Sequence, residues 1–207
     1  MKTAWIALIS TVSLIALTFA ILFLIGYLKP KQAGIKIETS TVSSVYINGQ
    51  YVGKTPFDGV YQAETLLMKI VPDDSTVGYL PFETKLTLTP GVQTVVRREF
   101  GLTEETSSGD IISFEKERGK TSMVVISTPI DASVSLDGVP RGFSPFKTTT
   151  ISPAEHQITV KAPGYSDIVM TINTKNGYRL TVYAKLGKLN EPPQVPPEKP
   201  STPKTFV

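Results

Sequence analysis

The chain has 207 residues, 21 basic and 18 acidic groups, one His and no Cys. Without Cys there are no disulfides, no thiolate metal sites and no lipid on an N-terminal Cys. A formal net charge of +3 is too balanced to indicate nucleic acid as a partner. Gly and Pro are abundant, at 15 and 16 residues, which fits a chain of turns more than of helices.

From Thr3 to Leu28 no residue is charged. A spanning helix needs about 20 apolar residues, and this run exceeds that. Trp5 and Tyr27 bracket it, separated by roughly 33 Å of helix at about 1.5 Å per residue. Aromatic residues at those depths resemble an interfacial belt. A cleaved signal peptide has a shorter apolar core of about 7–15 residues. Thr18-Phe19-Ala20 resembles a cleavage site, but Ile-Leu-Phe-Leu-Ile follows it. The expectation is one uncleaved transmembrane helix within residues 1–33.

From Gly34 the pattern changes to period two. Ile35 and Ile37 alternate with Lys36 and Glu38. Val45 and Ile47 lead to Asn48-Gly49, and Tyr51-Val52-Gly53 returns. Asn-Gly between alternating runs signals a two-residue hairpin turn. Pro56 lacks an N–H and should end or edge that strand. Further strands are expected at Leu66–Val71, Lys85–Thr89 and Val92–Phe100.

The pattern then recurs. Ser44-Val45-Tyr46-Ile47-Asn48-Gly49 has its counterpart in Ser133-Val134-Ser135-Leu136-Asp137-Gly138. Gly53-Lys54-Thr55-Pro56-Phe57 has its counterpart in Gly142-Phe143-Ser144-Pro145-Phe146. The alignment runs without gaps from Ile37/Ile126 to Phe57/Phe146 and resumes at Gly78-Tyr79/Gly164-Tyr165. Strands are expected at Met123–Thr128, Ser133–Leu136, Gln157–Lys161, Ile168–Ile172 and Leu180–Leu186. Short strands at this spacing read as β-sandwiches.

Residues 34–100 and 121–187 are thus two domains. Residues 101–120 are a polar linker, interrupted by Ile111-Ile112-Ser113-Phe114, which has room for one short strand. Residues 188–207 are a Pro-rich tail. Its P-x-x-P spacings at Pro193, Pro197 and Pro200 fit an extended spacer or a docking peptide. A domain this small is marginal alone, so the two are expected to need each other or a partner.

At Pro153-Ala154-Glu155-His156, followed by an alternating strand and Gly164-Tyr165, the second domain resembles the PEGA family. Asp137-Gly138 and Gly142-Phe143-Ser144-Pro145 carry the rest of its pattern. The first matches at Asn48-Gly49, Gly53-Lys54-Thr55-Pro56 and Gly78-Tyr79. It departs at Gln62-Ala63-Glu64-Thr65 and carries extra residues around Asp73–Thr76. The resemblance implies an all-β chain: two tandem transthyretin-like or Ig-like β-sandwiches behind the transmembrane helix. It also implies a bacterial envelope setting and no catalytic residues.

No catalytic, cofactor or metal residue is expected. His156 shares its domain with Asp131, Asp137 and Asp167, so a Ser-His-Asp set is conceivable by composition. It sits in the family's turn motif, and no Gly-x-Ser-x-Gly is present. Tyr46, Tyr51 and Tyr61 are the candidate partner surface. Tyr46 falls where the second copy has Ser135.

The expected function is a membrane-anchored, non-enzymatic envelope protein that presents its modules for protein–protein interaction or surface assembly. The alternative is a module for cell-wall or surface polysaccharide; a hydrolase using His156 comes last. The expected location is the cytoplasmic membrane, single-pass, with the C-terminal domains outside.

Overall fold

The computed structural model describes residues 2–28 and 31–189, with most side chains of 2–8 and 25–28 outside the description. The Pro-rich tail from residue 190 onward lies outside the described residues, as does the side chain of Tyr27. After helix α1 (Lys2–Leu28) the described residues form fifteen strands. They are β1 (Gln32–Thr39), β2 (Ser43–Ile47), β3 (Gln50–Lys54), β4 (Phe57–Gln62), β5 (Thr65–Pro72), β6 (Phe82–Thr87) and β7 (Gln93–Glu99). Then come β8 (Ser108–Lys116), β9 (Ser122–Thr128), β10 (Ser133–Leu136), β11 (Val139–Phe143), β12 (Phe146–Thr148), β13 (Glu155–Lys161), β14 (Ile168–Asn173) and β15 (Tyr178–Lys185).

The uncharged run is helical, but its expected role does not stand. Among the described residues no helix is long and apolar enough to cross a membrane. The transmembrane helix, the single-pass anchor and the location built on them are therefore corrected.

The rest is all-β. Strands β1–β7 and β9–β15 repeat one topology. Each set has a four-stranded sheet, β3-β2-β5-β6 in the first and β11-β10-β13-β14 in the second. The other three strands of both sets belong to one continuous sheet, ordered β12-β9-β15-β8-β7-β1-β4. That order reads the same from either end, with β8 at its centre. Both β7 and β15 pair antiparallel with β8, so they run parallel to each other. The two units are therefore related by a pseudo-two-fold axis along β8. Such a rotation exchanges the faces of the sheet, so the small sheets cover opposite faces.

The cores confirm this exchange of faces. Val96 lies in the first unit's core, with Ile35, Ile37, Val45, Met68 and Ile70. Its neighbour Val95 packs instead against the second core of Met123, Val125, Ile158, Leu180 and Val182. Strand β8 does the same: Ile111 packs on the first core and Ile112 lies within the second. Alternation along a strand points successive side chains to opposite faces, so one strand feeds two cores.

The segment read from sequence as a linker therefore contains the central strand of the largest sheet. Its composition is polar because only Ile111, Ile112 and Phe114 need to be apolar. Asp110 is buried and takes a two-pronged bond from Arg97, its cross-strand partner, at 2.7–2.9 Å. Burial pushes the Asp110 carboxyl up, and Arg97 opposes that shift. Two strands, β4 and β12, had no sequence expectation. Asp58 and Gly59 break the apolar pattern in the first, and the second has three residues.

Gly109 holds the β7–β8 crossing close. Its φ is 153°, and a Cβ there would lie 2.2 Å from the Arg97 carbonyl oxygen. Gly109→Ala is expected to cost about 3 kcal/mol or more, through backbone displacement in a packed sheet. Gly119→Ala, with open space around it, should cost about 1 kcal/mol. Urea denaturation of both variants checks the difference. Because β8 serves both cores, Gly109→Ala should destabilise both units in one transition.

Candidate functional site

The repeated hairpin is built by its turn residues. Asn48 and Gly49 have φ of 50° and 81°, and Asp137 and Gly138 have 53° and 76°. Positive φ at both central positions is what a type I′ turn requires. The side chains then reach across. Asn48 Oδ1 accepts the Leu67 N–H at 2.8 Å, and Asp137 Oδ1 accepts the Gln157 N–H at 2.9 Å. Each turn residue thus adds one rung between its hairpin and the next strand. Both hairpins also carry a register shift near the second Gly of the motif.

The Thr or Ser before Pro has a different role. The Thr55–Pro56 and Ser144–Pro145 peptides are both cis. Ser144 is buried, and its Oγ accepts the Ser127 N–H at 2.7 Å. Thr55 is buried likewise and accepts the Ser43 N–H at 3.0 Å. These hydroxyls satisfy backbone donors that water does not reach. Ser144→Ala should cost about 1–3 kcal/mol by leaving a buried donor unpaired. Ser144→Thr should restore most of it, since Thr fills the equivalent place in the first unit. Chemical denaturation measures both.

The structure separates the three candidate tyrosines. Tyr46 and Tyr51 are cross-strand partners on the outer face of the first small sheet. Their ring centroids lie 5.6 Å apart at an interplanar angle of 64°. Tyr51 is 52% exposed and Tyr46 half-buried. The same row continues through Lys69 to Glu83. Tyr61 is elsewhere: it sits on β4 and packs against the first core. Burial there pushes its phenol pKa up. Below the pair, Ser44 and Lys54 both bind Asp73, at 2.7 and 2.8 Å. The extra residues of the first unit thus tie down the end of its hairpin. Lys69 was missed in the sequence; counting outward from the Asn48-Gly49 turn sets Tyr46 opposite Tyr51, but not the third strand.

In the second unit the equivalent row is Pro140, Ser135, Thr159 and Val169. It has no aromatic residue. Its notable cluster lies at the hairpin turn. His156 Nδ1 is 2.7 Å from Asp137 Oδ2, and His156 Nε2 is 3.2 Å from Ser152 Oγ. The order Ser, His, Asp resembles a triad, but Nε2 lies nearer the Ser152 carbonyl oxygen, at 3.0 Å. A proton on Nε2 donated to a carbonyl leaves no base for the hydroxyl. Asp137 is also the rung acceptor of its own hairpin. The cluster reads as a clamp between the Pro153 turn and the hairpin.

Residues 120–190 match the PEGA domain. The match includes β9–β15 and both the Asp137 turn and the Pro153 turn. It does not extend to the first unit. No curated protein matches the chain. Within the PEGA domain, the motif positions are thus a turn, a rung, a buried hydroxyl and a clamp, all of them folding chemistry.

The clamp has a pH signature. Burial lowers the His156 pKa, but Asp137 and the Ser152 carbonyl outweigh it, so the net shift is upward from 6.5. Asp137 is held below 3.8 by His156 and the Gln157 N–H, with Arg141 adding slightly. A raised His pKa gives stability that is full below about 6.5 and lost as pH rises through the raised value. A depressed Asp pKa gives stability present above about 3.8 and lost as pH falls through the depressed value. The wild type should therefore lose stability between about pH 6 and 8, and His156→Ala should flatten that slope. Urea midpoints across that range decide it.

Proposed function

We propose that the chain is a non-enzymatic binding protein whose first unit offers the Tyr46–Tyr51 face to a protein partner. One observation carries this reading: an aromatic pair stands beside Lys69 on the outer face of the first small sheet, where the equivalent row of the second unit has no aromatic residue. Tyr is enriched where interfaces concentrate their binding energy. The pair is absent from the PEGA domain that shares the topology, so it is not needed for the fold. We infer also that the first unit is a diverged copy of that domain, on the strength of its identical strand order. The non-enzymatic reading is supported by the His156 geometry, where the ring is committed to structural bonds.

A polysaccharide ligand is the second reading, since exposed aromatic rings also stack on sugars. The 64° angle favours the first. Edge-to-face rings present no common flat platform, whereas they fit the irregular relief of a protein surface.

Affinity capture with cross-linking, run beside retention on insoluble polysaccharide, tests the two. Tyr46→Ala and Tyr51→Ala should each weaken capture of a protein partner about tenfold, the effect of losing about 1.4 kcal/mol. Retention of the wild type on polysaccharide, lost in both variants, would establish the second reading instead. Equal capture by wild type and variants would sink the first.

A further inference from the structure

The first small sheet ends at β6, which pairs only with β5. Leu88 N donates to Glu64 O, and Asn48 N donates to Leu67 O. These two bonds set the phase of the ladder. Phe82, Thr84 and Leu86 direct their main-chain groups to β5, and Glu83, Lys85 and Thr87 direct theirs away. The latter groups have no main-chain partner among the described residues.

Such a row is a template for another strand, and proteins commonly blunt it. Of the other five edges four are blunted, and the exception is β14, the counterpart of β6 in the second unit. Strands β3 and β11 are bulged, β11 contains Pro140, and β12 has three residues. Strand β4 carries Asp58 and Gly59, both poor strand formers. By contrast β6 runs six residues in unbroken register, with no bulge and no Pro.

Beside that edge the seven-stranded sheet continues as a floor. A cleft of about 490 Å³ runs between Lys85 and Thr87 on one side and Ile111 and Tyr183 on the other. A second, of about 120 Å³, continues it past Phe82 to Ile126. Tyr183 is in register with Ile111 and Ile126 on the flanking strands, and it is 48% exposed on a central strand of the sheet. The pseudo-two-fold places a matching groove beside β14, but Arg97, paired with Asp110, stands there in place of Tyr183. The rest of the β14 groove is floored by Val95, Ile112 and Phe114, so the two grooves differ at the position that Tyr183 holds beside β6 and Arg97 beside β14.

We propose that this groove takes an extended segment of a partner protein as a fifth strand of the small sheet. Its main chain pairs with Glu83, Lys85 and Thr87. Alternate side chains, apolar, lie on Ile111, Tyr183 and Ile126, as strand spacing requires. The outward residue opposite Lys85 is acidic, because Lys85 forms no ion pair among the described residues. The site is distinct from the Tyr46–Tyr51 pair, which lies on β2 and β3, across β5 from the β6 edge.

The test uses the full chain and a fluorescein-labelled peptide, Thr-Val-Glu-Val-Thr-Val-Thr, read by polarisation and by amide exchange. Saturable binding is expected, with new protection confined to the amides of Glu83, Lys85 and Thr87. Tyr183→Ala should weaken it about tenfold. Lys85→Glu should weaken it comparably, about tenfold, and a peptide with Lys in place of Glu should restore binding to that variant. Tyr46→Ala and Thr171→Glu should leave it unchanged, which separates this site from the tyrosine face and from the β14 groove. Circular dichroism verifies the fold of each variant. Absence of saturation, protection at Val169, Thr171 and Asn173 instead, or indifference to Tyr183→Ala would overturn the proposal.

Discussion

Strand β8 is hydrogen-bonded on both sides, to β7 of the first unit and to β15 of the second. Everything larger than a single unit depends on those two ladders. A strand has two edges and two faces, and β8 uses all four. Its edges join the halves into one sheet, while Ile111 and Ile112 enter different cores. Removing it would leave two open edges and two cores each short of a side chain. Small β-units with no disulfide bury too little surface to be robust alone. Sharing a strand enlarges the sheet and protects both inner edges at once.

The junction is also tied by charge. Arg97 grips Asp110 across the β7–β8 ladder. Arg98, on the opposite face, is buried against Phe82 and donates to Glu104 at 2.7 Å. Glu104 in turn receives Lys185 from β15. A chain of ionic contacts therefore runs from the first unit through the connecting segment to the second. The Arg97–Asp110 pair, with its carboxylate buried, holds register more than it adds stability, because desolvation offsets much of the attraction. Register matters here, since a one-residue slip of β8 would exchange the side chains destined for the two cores.

The pseudo-symmetry divides the molecule into what is common and what is particular. The turns, the rungs, the hydroxyls before proline and the small-sheet order occur in both units. The Tyr46–Tyr51 pair, the Asp73 tie and the Tyr183 floor occur once. A feature shared by both copies is explained by folding alone. A feature held by one copy, exposed and unneeded for the fold, is where binding has room to differ. By the same reasoning the His156 clamp of the PEGA domain stays with folding, because its bonds replace the apolar contact that Leu66 makes in the first unit.

Local chemistry was legible in the sequence wherever a residue type has one main use. Asn48-Gly49 and Asp137-Gly138 demanded type I′ turns, alternation demanded strands, and the repeat demanded two similar units. The facing of Tyr46 and Tyr51 followed from the turn they flank. Long-range pairing was not legible. Ile111-Ile112-Ser113-Phe114 looks like any short strand in a polar segment, and nothing local says that both its edges are occupied. Tyr61 looked like its neighbours until its sheet was known. His156, Asp137 and Ser152 were brought together by the pairing of β10 with β13. The uncharged N-terminal run set helix by composition, but among the described residues no helix is long and apolar enough to cross a membrane. Sequence alone determined the turns, the strands and their repetition, because those depend on neighbours a few residues apart. The shared central strand, the opposed cores and the groove beside β6 were decided only by tertiary structure, because they depend on which edges meet across the whole chain.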